Sequence, residues 1–159
     1  MFSCYLSGDD QPPSCFAGDW YLTGDLARRD ADGWFWFAGR LAEVIKTGGR
    51  LVGPYEIERA LLEHPAVLEA AAIGVPEPVA GEVVIAKIVL AAGYDDHPAL
   101  RAELRGFARR RLGTAIAPQR VAVVPELPHT RSGKTLRRLV RTRELGLPDG
   151  DLSASEVLM

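Results

Sequence analysis

The sequence predicts an α+β fold in which short sheets pack with about three helices, preceded by a β-hairpin region of different composition. From about residue 41 onward, apolar strand-like runs and amphipathic helices alternate irregularly, without the βαβ repetition of a parallel sheet. Nine of the twelve aromatic residues lie before residue 40, and residues 1–39 carry a net charge of −4 against +2 for residues 40–159. We therefore predict two parts, residues 1–40 and residues 41–159.

The first part has the pattern of an incomplete β-rich region. Residues 20–25 (WYLTGD) have the pattern of a strand that ends in a turn, which places Asp25 at the end of a strand. Asp32-Gly33 lies between the strand-like segments 26–30 and 34–37. An Asp-Gly pair flanked by such segments predicts a β-hairpin.

The second part begins with a short strand at 44–47 that meets Gly48-Gly49, where we expect a tight turn or a close approach by another molecule. Residues 83–90 (VVIAKIVL) are apolar on both alternating faces except for Lys87, which predicts a central strand. The other predicted elements are helices at about 55–64, 98–112 and 135–145, strands at 67–75 and 120–127, a loop at 128–134, and an extended tail from Gly146.

The overall composition excludes several classes of protein. Hydrophobic residues make up 47% and charged residues 25% of the chain, and the net charge is −2. These values are typical of a globular protein and argue against a disordered chain or a strongly basic nucleic-acid binder. No apolar run approaches the ~20 residues of a membrane helix, and the first residues lack the basic and apolar segments of a signal peptide. Cys4 and Cys15 fit no metal-binding or CxxC spacing, so we interpret them as free thiols of a cytoplasmic protein.

The segment PHTRSGKT at 128–135 nearly matches the phosphate-binding GxxxxGK[ST] loop. Pro128 replaces the first glycine, and proline has neither the N–H nor the backbone freedom that wrapping a phosphate requires. Lys134 follows Gly133 in a loop with few bulky side chains. Such a loop can present a lysine to an anion, or the lysine can simply be solvated.

A basic run surrounds this loop, with Arg131, Lys134, Arg137, Arg138, Arg141 and Arg143 and no intervening acid. On a helix, three of these arginines form a cationic stripe that either meets phosphates or is a solvated face. Nucleic-acid binding also needs stacking aromatics, and here the aromatics lie far away in sequence. The spacing therefore argues against nucleic acid as the partner.

The remaining candidates have simpler interpretations. Asp25 offers a carboxylate that can accept two vicinal hydroxyls, although Thr-Gly-Asp is also a common turn. His64 lies on the apolar face of a predicted helix and is interpreted as structural. His97 and His129 have no Ser or Cys partner at a readable spacing, so neither nucleophilic catalysis nor a metal site is predicted.

Three segments in this order resemble the C-terminal part of the adenylate-forming superfamily, which includes acyl-CoA synthetases: YLTGDLARRDADGWFWFAGR, IKTGGRLVGPYEIERALLEHPAV and LPHTRSGKTLRR. The segment VPEPVAGEVVIAKIVL is similar to the acetyl- and medium-chain acyl-CoA synthetase branch. The resemblance implies that residues 1–40 are a remnant of the last β-rich subdomain of a large N-terminal domain. Residues 41–159 would then be the small C-terminal lid domain with an extended tail.

The resemblance also implies roles for individual residues in the first step, adenylation. Asp25 matches the acid that holds the ribose hydroxyls of ATP and acyl-AMP, and Arg40 matches an arginine that contacts the same ribose. Lys134 matches the lysine that stabilises charge between the acyl carboxylate and the α-phosphate. A cation placed where negative charge develops lowers the barrier of such a step.

For the second step, thioester formation, the family implies rotation of the small domain about a hinge after Arg40. Gly48 and Gly49 match residues that line the path of the CoA thiol, and Lys46 matches a position that assists this step in some members. The hinge position is usually Asp or Lys in the family and is Ala42 here. Many relatives in this branch have an arginine at the position of Leu51.

The family resemblance implies ATP/AMP, CoA and Mg2+ as cofactors of the full-length enzyme and a carboxylic acid as its substrate. We expect none of these to be tightly bound by this chain alone, and we expect the chain alone to be inactive. Its main partner would be the large N-terminal adenylation domain, in cis or in trans. Two alternatives are a stand-alone accessory module that acts in trans and a nucleotide- or nucleic-acid-binding module. The aromatics of residues 1–40 predict self-association when the large domain is absent.

Overall fold

The computed structural model describes residues 16–149 of the 159-residue chain. The contacts divide the chain into two units, one ending at Ala42 and the other beginning at Glu43. The predictions for Cys4 and Cys15 lie outside the described residues, as does most of the predicted tail.

The first unit consists of two small antiparallel pairs of strands. Strands β1 (Phe16–Ala17) and β2 (Trp20–Tyr21) form one pair, and β3 (Asp25–Arg29) and β4 (Phe35–Arg40) form the other. The predicted Asp-Gly hairpin is confirmed as the turn between β3 and β4.

Two local features of the first unit explain its turns. In the β3–β4 turn, the Asp30 carboxylate accepts the backbone N–H groups of Asp32 and Trp34 at 3.1 and 2.9 Å. The placement of Asp25 at the end of a strand is wrong, because Asp25 is the first residue of β3. Gly24 has φ +72° and bends the chain just before it, so the strand expected over 20–25 is broken at this point.

The second unit contains a five-stranded sheet in the order β6-β5-β8-β7, with β9 also paired to β8. The strands are β5 (Ile45–Thr47), β6 (Arg50–Val52), β7 (Val67–Glu77), β8 (Gly81–Leu90) and β9 (Arg120–Val123). All pairs are antiparallel except β8 with β9. The apolar run around Lys87 is thus confirmed as a central strand, since β8 has neighbours on both sides.

Three α-helices accompany this sheet in the described residues: α1 (Pro54–Leu62), α2 (Pro98–Leu112) and α3 (Arg137–Glu144). A short 3₁₀ turn, Leu41–Glu43, precedes β5. Helix α3 begins two residues later than predicted, because Thr135 pairs with His129 in an isolated β-bridge.

The sheet carries buried hydrophobic side chains on both faces. Consecutive strand residues point to opposite faces, and on β7 Ala70 and Ala72 belong to one buried cluster while Ala71 and Ile73 belong to another. The first cluster includes residues of α1 and α2, and the second includes Val140 of α3. Helices therefore cover both faces, which explains why the central strand is apolar throughout.

The helix ends follow from local chemistry. Pro54 stands at the first turn of α1, where its missing N–H costs no hydrogen bond. His97 caps α2, since its Nδ1 accepts the N–H of Leu100 at 3.1 Å. Gly113, with φ +78°, follows the last residue of α2 and ends it. Across residues 16–149, no helix combines the length and the hydropathy needed to cross a membrane.

Candidate functional site

Lys134 lies in a turn, residues 129–135, that is closed by its own hydrogen bonds; we refer to it as the Lys134 turn. The N–H of Thr130 donates to the carbonyl of Lys134 at 2.8 Å, and the N–H of Lys134 donates to the Thr130 hydroxyl at 3.0 Å. The N–H of Gly133 donates to the carbonyl of Thr130 at 2.9 Å, and Gly133 has φ +80°. A residue with a side chain would be strained there, so glycine is required by the turn itself.

The side chain of Lys134 is exposed, and within residues 16–149 its ammonium has no hydrogen bond or ion pair. An ammonium without a carboxylate partner keeps its charge available for an incoming anion. The turn fixes the backbone of Lys134 and leaves the side chain free to reach outward.

Lys87, on β8, has the opposite environment. Its side chain is 16% exposed, and Nζ lies 2.5 Å from the Glu144 carboxylate, which also pairs with Arg120. Partial burial lowers the pKa of Lys87, and the nearby charge of Arg120 lowers it further. This lysine is part of the packing between β8 and α3.

The arginines of α3 are largely committed to carboxylates of the second unit. Arg137 donates from Nε and Nη2 to the two oxygens of Glu58, both at 2.7 Å, and from Nη1 to Glu43 at 2.8 Å. The side chain of Glu58 is 6% exposed, and it also accepts the N–H of Ala72 at 2.9 Å. The hydrogen bonds that Arg137 donates to Glu58 raise the pKa of Arg137 above its usual value.

Two further arginines of α3 are paired in the same way. Arg141 donates to Glu82 at 2.7 Å, and Arg143 lies 3.1 Å from Asp149. Within the cationic stripe that the sequence suggested, Arg137 and Arg141 are therefore neutralised by partners distant in sequence. Asp149, the partner of Arg143, is only six residues away. Arg138 is exposed and has no such partner in the described part of the chain.

The hairpin between β5 and β6 presents Gly48 and Gly49 at its tip. Their φ values are +54° and +75°, and a Cβ added at either position would meet nothing within 4 Å. Within the second unit, these glycines are thus required by backbone conformation, since no neighbour crowds them. The N–H of Gly48 donates to the carbonyl of Ala80 at 3.0 Å, and Lys46 is exposed on β5 beside the tip.

The first unit brings Asp25 and Arg40 together. They are directly opposite each other on β3 and β4, and Nε of Arg40 lies 2.9 Å from the Asp25 carboxylate. Arg40 also donates to the carbonyl of Thr23 at 2.7 Å. Both side chains remain substantially exposed, at 38% and 54%, so the pair stays accessible to a ligand. Ala42 is the last residue of this unit and lies in the 3₁₀ turn.

The histidines have structural contacts. His64 is 7% exposed, packs edge-on against Phe107 and accepts the N–H of Ala66, which confirms its structural interpretation. His129 lies at the base of the Lys134 turn, with Nε2 2.8 Å from Glu69. Among residues 16–149, no group of three or more His, Cys, Asp or Glu side chains is placed to hold a metal ion.

Sequence reasoning missed the carboxylates that bind the α3 arginines. Glu58 lies next to the apolar face of α1 that was predicted from Ile57 and Leu61. This position was the one feature of the sequence that could have indicated a buried carboxylate. Glu82 lies in a strand that the pattern described as apolar from residue 83 onward. Neither spacing reveals a partner about 60 or 80 residues away.

The chain is similar to known proteins over most of its length. A family model described as AMP-binding enzyme C-terminal domain matches residues 56–134. The acetyl-coenzyme A synthetase of Bacillus subtilis is 47% identical over 139 residues, which is 87% of this chain and 24% of that protein. The human mitochondrial acyl-coenzyme A synthetase ACSM5 is 46% identical over 148 residues, covering 92% of this chain and 26% of that protein.

The chain is also similar to a solved structure over most of its length. ATP-bound MatB from Rhodopseudomonas palustris superposes with a TM-score of 0.77 at 30% identity, over 90% of this chain and 28% of that one. The chain thus spans about a quarter of the length of the curated relatives it matches.

Proposed function

Because this chain belongs to the adenylate-forming acyl-CoA synthetase family through its AMP-binding C-terminal domain, we propose that it is the catalytic lid of a carboxylic acid–CoA ligase. In the first step, the acid and ATP give acyl-AMP and pyrophosphate. In the second step, acyl-AMP and CoA give acyl-CoA and AMP. A large adenylation domain, in cis or in trans, would supply the ATP and acyl pockets.

The observation that carries this proposal is the contrast between Lys134 and the paired arginines Arg137 and Arg141. Adenylation builds negative charge between the acyl carboxylate and the α-phosphate. Lys134 can approach that charge without first breaking an ion pair, whereas Arg137 and Arg141 would have to leave their carboxylates. Lys134 is therefore the residue we assign to adenylation.

Other residues would serve nucleotide binding and thioester formation. The exposed pair Asp25 and Arg40 would hold the ribose of ATP and of acyl-AMP. The open tip at Gly48 and Gly49, with Lys46 beside it, would line the path of the CoA thiol. Ala42 would lie at the hinge between the two steps.

The described residues do not fit a metal site, since they include no cluster of potential ligands. We therefore place Mg2+ with the phosphates of ATP and with the large domain. No step that we assign to this chain goes through the metal ion.

The exposed aromatics of the first unit support docking to such a domain. Trp34, Phe35, Trp36 and Phe37 are 57–72% exposed along β4 and the residue before it. An apolar patch of this kind marks an interaction surface. We expect the chain alone to self-associate in light scattering and to become monodisperse when it is joined to a large domain.

The test is a chimera in which this chain replaces the matching C-terminal quarter of the Bacillus subtilis acetyl-CoA synthetase. We expect it to catalyse acetate-dependent ATP–pyrophosphate exchange and to form acetyl-CoA from supplied acetyl-AMP and CoA. Lys134→Ala should lower the exchange rate by about 100-fold or more. The same variant should leave thioester formation from acetyl-AMP within about threefold, since that step does not use the adenylating lysine.

Arg138→Ala is the matched control, because it removes an exposed charge that has no partner within residues 16–149 and lies four residues along the chain. It should leave both half-reactions unchanged. Normal exchange in Lys134→Ala, or an equal loss in Arg138→Ala, would contradict the role of Lys134. Adding the separate chain to the truncated synthetase tests whether the lid also acts in trans.

A further inference from the structure

Glu82, the second residue of β8, connects two elements that lie far apart in sequence. Its Oε2 accepts the backbone N–H of Lys46 on β5 at 2.8 Å. Its Oε1 accepts Nη2 of Arg141 on α3 at 2.7 Å. The Glu82 side chain is 17% exposed, whereas its partner Arg141 is 42% exposed. The carboxylate thus links the strand of the Gly48-Gly49 hairpin to the helix that follows the Lys134 turn.

Strand β5 packs into the core through Ile45, but it has little backbone pairing with β8. Strands β5 and β8 share the single residue pair Thr47 and Gly81, and the N–H of Gly48 reaches Ala80 beyond it. The bond from Lys46 to a carboxylate adds a charge-assisted anchor, which is stronger than a neutral hydrogen bond. Arg141 in turn holds the carboxylate in place.

Gly74 makes room for this carboxylate. A Cβ built on Gly74 would lie 2.7 Å from Oε2 and 2.8 Å from Cδ of Glu82, closer than real side chains approach. Gly74 is two residues along β7 from Pro76, the cross-strand partner of Glu82. Its φ is not among the positive values, so the backbone accepts a side chain here, and the effect of adding one is the shift that it forces on the Glu82 carboxylate.

We propose that Glu82 is a positioning residue for thioester formation, which holds Lys46 and the Gly48-Gly49 tip in the geometry that the CoA thiol needs. This inference rests on the function proposed above. Glu82 does not touch the reacting atoms, since both of its oxygens are engaged within the second unit. It acts through the backbone of Lys46, and it ties that backbone to the element next to the adenylating lysine.

The first test uses the complete 159-residue chain and hydrogen exchange of the Lys46 amide. Glu82→Ala removes the acceptor and should speed this exchange by about 10-fold or more. Gly74→Ala should have a similar effect, because the new methyl group displaces the carboxylate while Glu82 itself is unchanged. The double variant should exchange no faster than Glu82→Ala alone, since the methyl group then has nothing to displace.

The second test uses the chimera and compares the two half-reactions. Glu82→Ala and Gly74→Ala should each lower the rate of thioester formation from acetyl-AMP by about 10-fold, because a small misplacement of the tip is costly. ATP–pyrophosphate exchange should stay within about twofold. Glu56→Ala, which removes an exposed carboxylate of α1, is the control and should change neither rate.

The outcomes separate this inference from the proposed function. Unchanged Lys46 exchange in Glu82→Ala, additive effects of the two substitutions, or equal losses in both half-reactions would overturn the positioning role. Lys134→Ala without effect on pyrophosphate exchange would instead refute the proposed function. A selective loss of thioester formation that Gly74→Ala reproduces would support the inference.

Discussion

The Lys134 turn and helix α3 are close in sequence and both basic, yet they use their charges in opposite ways. The turn satisfies its own backbone and leaves the Lys134 ammonium without a partner in the described chain. Helix α3 directs Arg137 and Arg141 onto Glu58 and Glu82. The helix charges stabilise the fold, and the turn charge is the one that we propose for adenylation.

This difference shows why a run of basic residues is a poor guide to an anion site. Spacing along a helix reports which charges share a face but not which carboxylates the fold places against them. Once those partners are known, the surplus charge of the region is concentrated at the turn and at Arg138. The predictions below test this division, from the largest expected effect to the smallest.

Arg137→Ala should lower the free energy of unfolding by about 3 kcal/mol, because it leaves Glu58 buried without its cation. Urea unfolding followed by far-UV circular dichroism measures this, since all three described α-helices lie in the second unit. Arg137→Lys should recover only part of the loss, because an ammonium lacks the planar pair of N–H groups that a guanidinium donates to the two oxygens of Glu58. A loss below about 1 kcal/mol in Arg137→Ala would contradict a structural role for this arginine.

Arg141→Ala should have an intermediate effect of about 1 kcal/mol, since its side chain is 42% exposed and water screens part of the interaction. The same urea experiment applies. A loss of unfolding free energy as large as that of Arg137→Ala would contradict the idea that exposure makes the Arg141–Glu82 pair weaker than the Arg137–Glu58 pair.

Arg143→Ala and Lys134→Ala should each change the unfolding free energy by less than about 0.5 kcal/mol. Arg143 and Asp149 form an exposed pair, and Lys134 has no ion pair within residues 16–149. Lys134→Ala should nevertheless have the largest effect on pyrophosphate exchange in the chimera. Marked destabilisation by this substitution would show that the turn charge is structural after all.

The smallest expected effect concerns Asp30 in the first unit, a carboxylate whose hydrogen-bond donor is another side chain of the same unit. Asp30 accepts the indole N–H of Trp36 at 2.6 Å, and chiefly because of this bond the pKa of Asp30 lies below its usual value. The bond should persist at neutral pH and be lost only as the pH falls through that lowered pKa. The Trp36 indole N–H resonance in NMR should therefore titrate with a midpoint below the ordinary pKa of an aspartate. Asp30→Asn should abolish this titration, and a midpoint at or above that ordinary pKa would contradict the assignment.

The sequence predicted the secondary structure best where a pattern is long. The central strand around Lys87 and the helix Pro98–Leu112 were predicted from the pattern of apolar residues. These predictions succeeded because the tertiary packing buries the apolar residues of both elements. Asp25 was misplaced because Gly24 interrupts a short strand, and a run of a few residues cannot show on which side of a turn the next strand begins. Within the candidate site, the roles of Lys134, Asp25, Arg40 and the glycine pair come from the motif resemblance and stay predictions. The tight turn at Gly48-Gly49 was predicted from the residues and is confirmed.

The supporting carboxylates could not be predicted, because their partners meet only after folding. Glu58 and Arg137 are separated by 79 residues, and Lys46 and Glu82 by 36. No local pattern encodes such a pair, and a buried glutamate on a helix ordinarily contradicts the amphipathic pattern. The folded chain resolves this by placing an arginine of α3 against it.

The space above Gly74 has a consequence for how this family of domains can vary. A side chain at position 74 forces the carboxylate of Glu82 to shift away from its place beside the Lys46 amide, because the two would occupy the same volume. We therefore expect relatives to change these two positions together, with a shorter residue at 82 wherever 74 gains a side chain. Such relatives would anchor the hairpin by another route.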